Sequence, residues 1–151
     1  MSSQDFLGPT SITKFALGAG GGAMSFIASL PTTENCVTAA LNPFTGAIYA
    51  AFDVSDDAAY GAEMFRPGAG TAPPTSVGTF ETPSGGIPFG SIPGGIALAP
   101  TYDILAIADS INPPGYVNYF CLGSGTALPT VLNTVEIGGG GTTSANAGVY
   151  E

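Results

Sequence analysis

The sequence predicts an all-β chain built from three four-stranded repeat units. Segments 68–81 (GAGTAPPTSVGTFE) and 123–136 (GSGTALPTVLNTVE) share eight of fourteen residues at an offset of 55. Short runs of Ile, Val and aromatic residues alternate with Gly, Pro and Asn clusters, the pattern of strands between turns. No window sustains a 3.6-residue apolar period with caps, so almost no helix is expected.

The last unit, 94–137, shows the plan most openly. GIALA (95–99) is a brief apolar strand, and ILAIADS (104–110) follows a turn at Thr101–Asp103. VNYFCL (117–122) follows the N-P-P-G turn at Asn112–Gly115, and VLNTVEI (131–137) follows a G-S-G-T turn. The unit 37–82 repeats this order. ALNPFTGAIYAAFD (40–53) lies over ALAPTYDILAIADS (97–110) at an offset of 57, and Phe65 and Phe120 each stand three residues before a G-x-G. A third copy exists in pieces. KFALGAGGGAMSFIASL (14–30) aligns with YFCLGSGTALPTVLNTV (119–135) through Phe15, Leu17, Gly18 and Gly20, and AGVYE (147–151) resembles GGIAL (94–98). The expected third unit is therefore split, 1–30 plus 147–151. Gly18–Gly22 and Gly138–Gly141 read as turns, since no helical pattern follows them and Gly is the default turn residue.

Composition narrows the functions. The chain has 151 residues, 44 % hydrophobic and only 9 % charged, with Gly 23 and Pro 13. One domain is the expectation for that length, and the apolar content is too high for disorder. Lys14 and Arg66 are the only cations against eleven carboxylates, a net charge of −9. That excludes a grip on a nucleic-acid backbone and attraction to an anionic membrane surface. No stretch of 18 strongly apolar residues occurs, so no membrane insertion is expected. Residues 15–30 read better as a copy of a core element than as a leader peptide, because a Gly-rich run interrupts the apolar segment.

The chain lacks His, so Ser-His-Asp and Cys-His catalysis and His-containing zinc sites are excluded. Cys36 and Cys121 have one possible pairing and no spacing signature; two buried free thiols and a disulfide are both open. Neither has a sequence-adjacent cation to lower its pKa. No hydrolytic or redox activity is expected, and no catalytic residue or cofactor is assigned.

Three groups of residues are weighed as sites. Asp53, Asp56 and Asp57, with Glu63, form the one acidic cluster, and carboxylates on a loop can hold Ca²⁺; the plainer reading is a solvated inter-strand loop. Asp109 and its counterpart near Asp53 follow apolar strands and would line a channel or cap a turn. Tyr102, Tyr116, Tyr119 and Phe89 would form a sugar-binding shelf or serve as packing, and the absence of Trp removes the best stacking platform.

PGGIALAPTYDILAIADS (93–110) and VNYFCLGSGTALPTVLNTVEI (117–137) resemble successive strands of NHL-type β-propeller blades. The resemblance covers about 37–137 plus fragments at both ends. It implies propeller-like units arranged radially around a channel. Three units per chain would then complete a ring or a filament by oligomerisation. The pattern departs at Asn42 and Ala99, where such blades often carry Asp, and at the turns Thr45–Gly46 and Tyr102–Asp103. Enzymatic relatives of the class resemble lactonase-type hydrolases with a metal over the channel; none of their ligands maps onto this chain.

The expected function is a non-enzymatic, self-assembling structural protein of a virion or extracellular surface. Low charge permits close subunit contacts at little desolvation cost. The alternatives are an oligomeric carbohydrate-binding lectin, with a glycan as partner, and a metal-dependent lactonase-type hydrolase. Residues Ala147, Gly148, Val149, Tyr150 and Glu151 are the expected assembly strand, pairing with the N-terminal unit of the same or a neighbouring chain.

Overall fold

Ten strands and two single-turn 3-10 segments make up the regular structure of the computed structural model, which describes residues 10–33, 35–52, 61–82, 93–109 and 115–137. The strands are β1 (Ser11–Ala16), β2 (Ser25–Pro31), β3 (Cys36–Leu41), β4 (Ile48–Phe52), β5 (Ala62–Arg66), β6 (Thr75–Phe80), β7 (Pro93–Ala99), β8 (Ile104–Asp109), β9 (Gly115–Cys121) and β10 (Thr130–Ile137). The 3-10 turns span Ala19–Gly21 and Pro100–Tyr102. The chain is all-β, as its patterning predicts.

The strands form three antiparallel sheets: the hairpin β1–β2, the meander β3–β4–β5–β6 and the meander β7–β8–β9–β10. The two four-stranded sheets have the same strand order, each a meander of four consecutive strands. Their registers repeat as well. Met64 pairs with Tyr49 and Phe65 with Ile48, while Tyr119 pairs with Ala106 and Phe120 with Leu105. Each unit has a register shift at the same place in its outer hairpin, after Met64 in one and after Val131 in the other.

The turn between the first two strands shows why different sequences give one shape. Asn42 accepts hydrogen bonds at Oδ1 from the Phe44 and Thr45 amides (3.0 and 3.2 Å), and Gly46 closes the turn at φ 72°. In the next unit Pro100–Tyr102 forms a 3-10 turn closed by Asp103 at φ 55°. Gly46 and Asp103 are 57 residues apart, the same offset as the flanking strands. Asp is among the few non-Gly residues that accept this left-handed conformation. The turn chemistry differs between the two four-stranded sheets while their strand order is the same.

The β1–β2 hairpin is a two-stranded sheet of its own. Its turn repeats the β5–β6 and β9–β10 turns. A Cβ at Gly18 would meet the Gly22 backbone at 2.7 Å, one at Gly68 the Ala72 carbonyl at 2.7 Å, and one at Gly123 the Ala127 Cβ at 3.1 Å. The chain folds back on the same residue in each copy, so glycine is kept at all three. The segment 147–151, expected to pair with roughly residues 3–17, lies outside the described residues.

The three sheets stack as layers with β3–β6 in the middle. Alternation along β4 and β5 sends side chains to both neighbours. Tyr49, Ala51, Ala62, Met64 and Phe80 meet Ile96, Leu105, Ile107, Phe120 and Leu122 of the β7–β10 sheet. Ala50, Phe52 and Phe65 pack toward the hairpin, against Ile12 and Leu30. This two-sided burial explains the unbroken apolar run of IYAAF in β4. The four-stranded sheets approach most closely along their opening strands, β3 against β7.

Candidate functional site

The chemical candidates disperse when placed on the fold. Glu63 is not a solvated loop carboxylate. It sits on β5 at 3 % exposure, accepting a hydrogen bond from the Thr33 amide (3.0 Å) and another from the Ser76 hydroxyl. Its carboxylate ties the hairpin's exit to the middle sheet. Its equivalent, 55 residues on, is Asn118 on β9, also buried and accepting from the Thr134 hydroxyl at 2.8 Å. A buried polar side chain at this point is a repeated structural device. Asp53, Asp56 and Asp57 lie outside the described residues. Among the described residues no group of three or more His, Cys, Asp or Glu is placed to hold a metal.

Asp109 closes β8, its backbone paired with Tyr116 and Pro93. The predicted aromatic shelf is divided by the pleat. Tyr116 and Tyr119 are three residues apart on β9 and fall on opposite faces of the sheet, while Tyr102 is exposed in the turn before β8; Phe89 lies outside the described residues. Cys36 and Cys121 are both free thiols, on β3 and β9.

The two cations are engaged by backbone carbonyls. The Lys14 ammonium donates to the carbonyls of Pro67 (2.9 Å), Gly68 (2.9 Å) and Ala72 (3.0 Å), filling its three donor positions. The Arg66 guanidinium donates to the Thr45 carbonyl at 3.4 Å. Neither is set up as a phosphate clamp.

Burial pushes the Tyr49 phenol above its ordinary value, opposed by the nearby Arg66 charge, and burial pushes the Cys36 thiol up as well. Both groups hold their protons more tightly folded than unfolded. Their stabilising contribution is complete below the unfolded values, about 8.5 for Cys and 10 for Tyr, and is lost as pH rises through the raised folded values. The urea midpoint is therefore expected to fall as pH is raised from about 8.5 to 11, with a shallower fall in Tyr49→Phe. An identical slope in that variant would contradict the assignment to Tyr49.

What the fold does present is two apolar outer faces. On the hairpin, Phe15 and Leu17 are 50 % and 81 % exposed, and Met24 and Phe26 beside them are exposed. Phe15 and Phe26 stack edge to face at 6.1 Å. On the far side of the molecule, the outer face of β9–β10 exposes Tyr119, Leu132 and Val135. Sequence reasoning placed the assembly determinants at 147–151, outside the described residues, and did not find these faces. The signal was present: Phe15 and Leu17 align with Phe120 and Leu122, which are 0 % and 3 % exposed in the last unit. Residues suited to an inter-sheet core stand uncovered in the first.

Among the described residues no helix is long and apolar enough to cross a membrane. No family model, curated protein or solved structure matches the chain.

Proposed function

We propose that this chain is a non-enzymatic structural protein that self-assembles from propeller-like, NHL-type repeat units. The observation that carries the reading is the pair of apolar faces at opposite ends of a stack of equivalent sheets. Contiguous exposed apolar surface of this kind marks interaction sites on soluble proteins. The close approach of the opening strands β3 and β7 is in keeping with a radial arrangement, since blades around an axis converge at their opening strands. The low charge of the chain, two cations and eleven carboxylates, suits a close-packed assembly at a virion or extracellular surface.

Light scattering on the full chain tests this. A multiple of 14.9 kDa that persists on dilution to the micromolar range is expected, as for subunits meeting through apolar cores. The mass of a single chain at every concentration overturns the proposal.

A further inference from the structure

We infer that the partner on both outer faces is a second copy of this chain, bound head to tail, with the hairpin of one copy packed on the outer face of β9–β10 of the next. This rests on the assembly reading above and specifies its contact. The pattern for the contact is already present twice inside one chain. The hairpin packs on the middle sheet, and the middle sheet packs on the last one, each through the same repeat positions. Adding a second copy continues the series by one step.

The correspondence can be followed residue by residue. Inside the chain Phe80 of β6 meets Phe120 of β9 edge to face at 5.3 Å. One unit further on, the position of Phe80 is held by Val135, and the position of Phe120 in a following unit is held by Phe15. Both are exposed. Val77, which packs on the same core, corresponds to Leu132, also exposed, and Leu122 corresponds to Leu17. Each side of the internal contact thus has a counterpart of similar chemistry left open at the opposite end of the molecule.

A polar feature accompanies the first of these internal contacts. Lys14, Met64 and Tyr119 each precede the aligned Phe and each face the following unit. Lys14 reaches the turn of that unit and donates to the carbonyls of Pro67, Gly68 and Ala72. The turn a second copy would offer to Tyr119 has the equivalent carbonyls on Leu17, Gly18 and Gly22, in a loop of the same close backbone approach. Tyr119 carries a hydroxyl donor on an apolar ring, suited to an interface with carbonyls at its edge. The contact joins two different surfaces, so it is heterologous and propagates to a ring or a filament according to the angle per step.

The test uses two full-length double variants. Phe15→Lys with Leu17→Lys disables the hairpin face; Leu132→Lys with Val135→Lys disables the sheet face. Lysine lowers the net negative charge, so any loss of association is not general repulsion. Each variant alone is expected at the mass of one chain. An equimolar mixture is expected at the mass of two, because each variant keeps the face the other has lost. Tyr119→Phe in the otherwise unaltered chain keeps the ring, removes only the hydroxyl, and is expected to weaken association about fivefold. A variant that dimerises alone shows a same-face contact and overturns the inference. So does a mixture of folded variants, checked by circular dichroism, that stays at one chain. If wild type assembles and both double variants keep its mass, this interface is wrong while the assembly reading stands. If wild type is a single chain throughout, both fail.

Discussion

Phe120→Ala is expected to lower the unfolding free energy by about 3–5 kcal/mol. Phe120 is fully buried between the two four-stranded sheets and stacks edge to face on Phe80. Truncation removes its transfer free energy, leaves a cavity between stiff β layers that cannot close on it, and orphans the Phe80 ring. At about 2–4 °C per kcal/mol for a chain of this size, the melting midpoint should fall on the order of 6–20 °C. The repeat supplies two controls at equivalent positions. Phe65 is fully buried between the middle sheet and the hairpin, and Phe65→Ala should cost a similar amount. Phe15 is half exposed, and Phe15→Ala should cost under about 1 kcal/mol when unfolding is measured on the single chain. Equal losses at all three sites would show that burial at this position does not depend on a neighbouring sheet, and the layer description would be wrong.

That series also shows how much of the fold the amino-acid sequence made legible. Internal repetition was the strongest signal, because a repeated residue such as Phe65 or Phe120 reports a repeated environment without any propensity argument. It located both four-stranded sheets and their strand order. Strand ends were less legible. β7 begins at Pro93 and β9 at Gly115, residues that propensity assigns to turns. The site was read poorly for a physical reason. Carboxylates at short sequence spacing suggested a cluster, yet pleat and register separated Glu63 from any loop and buried it on β5. One-dimensional spacing cannot tell which face of a strand looks toward another layer, and in this three-layer stack both faces of β4 and β5 are buried. The two exposed apolar faces became visible only when aligned residues proved to have unequal exposure.

Glu63 is where the buried polar chemistry can be tested most directly. Its carboxylate accepts from a backbone amide, Thr33, and from a hydroxyl, Ser76. Glu63→Ala leaves the Thr33 amide without this acceptor and removes the Ser76 partner. Thr33 and Ser76 are exposed residues, so water takes over part of the lost bonding, and a loss of about 1–3 kcal/mol is expected in urea unfolding. Glu63→Gln should behave differently. The Thr33 amide can only donate, so the Gln carbonyl must turn toward it, which leaves the Gln NH₂ facing Ser76. A serine hydroxyl rotates freely and can accept instead of donate. Both bonds survive in altered polarity, and the cost should stay under about 1 kcal/mol. Asn118 in the following unit is a precedent, an amide buried at the equivalent position with the Thr134 hydroxyl as partner. Glu63→Leu separates satisfaction from packing, since it fills the space and still leaves Thr33 without this acceptor; its loss should approach that of Glu63→Ala. Gln as damaging as Ala would mean that the charge itself, rather than the acceptor geometry, holds the hairpin exit to the middle sheet.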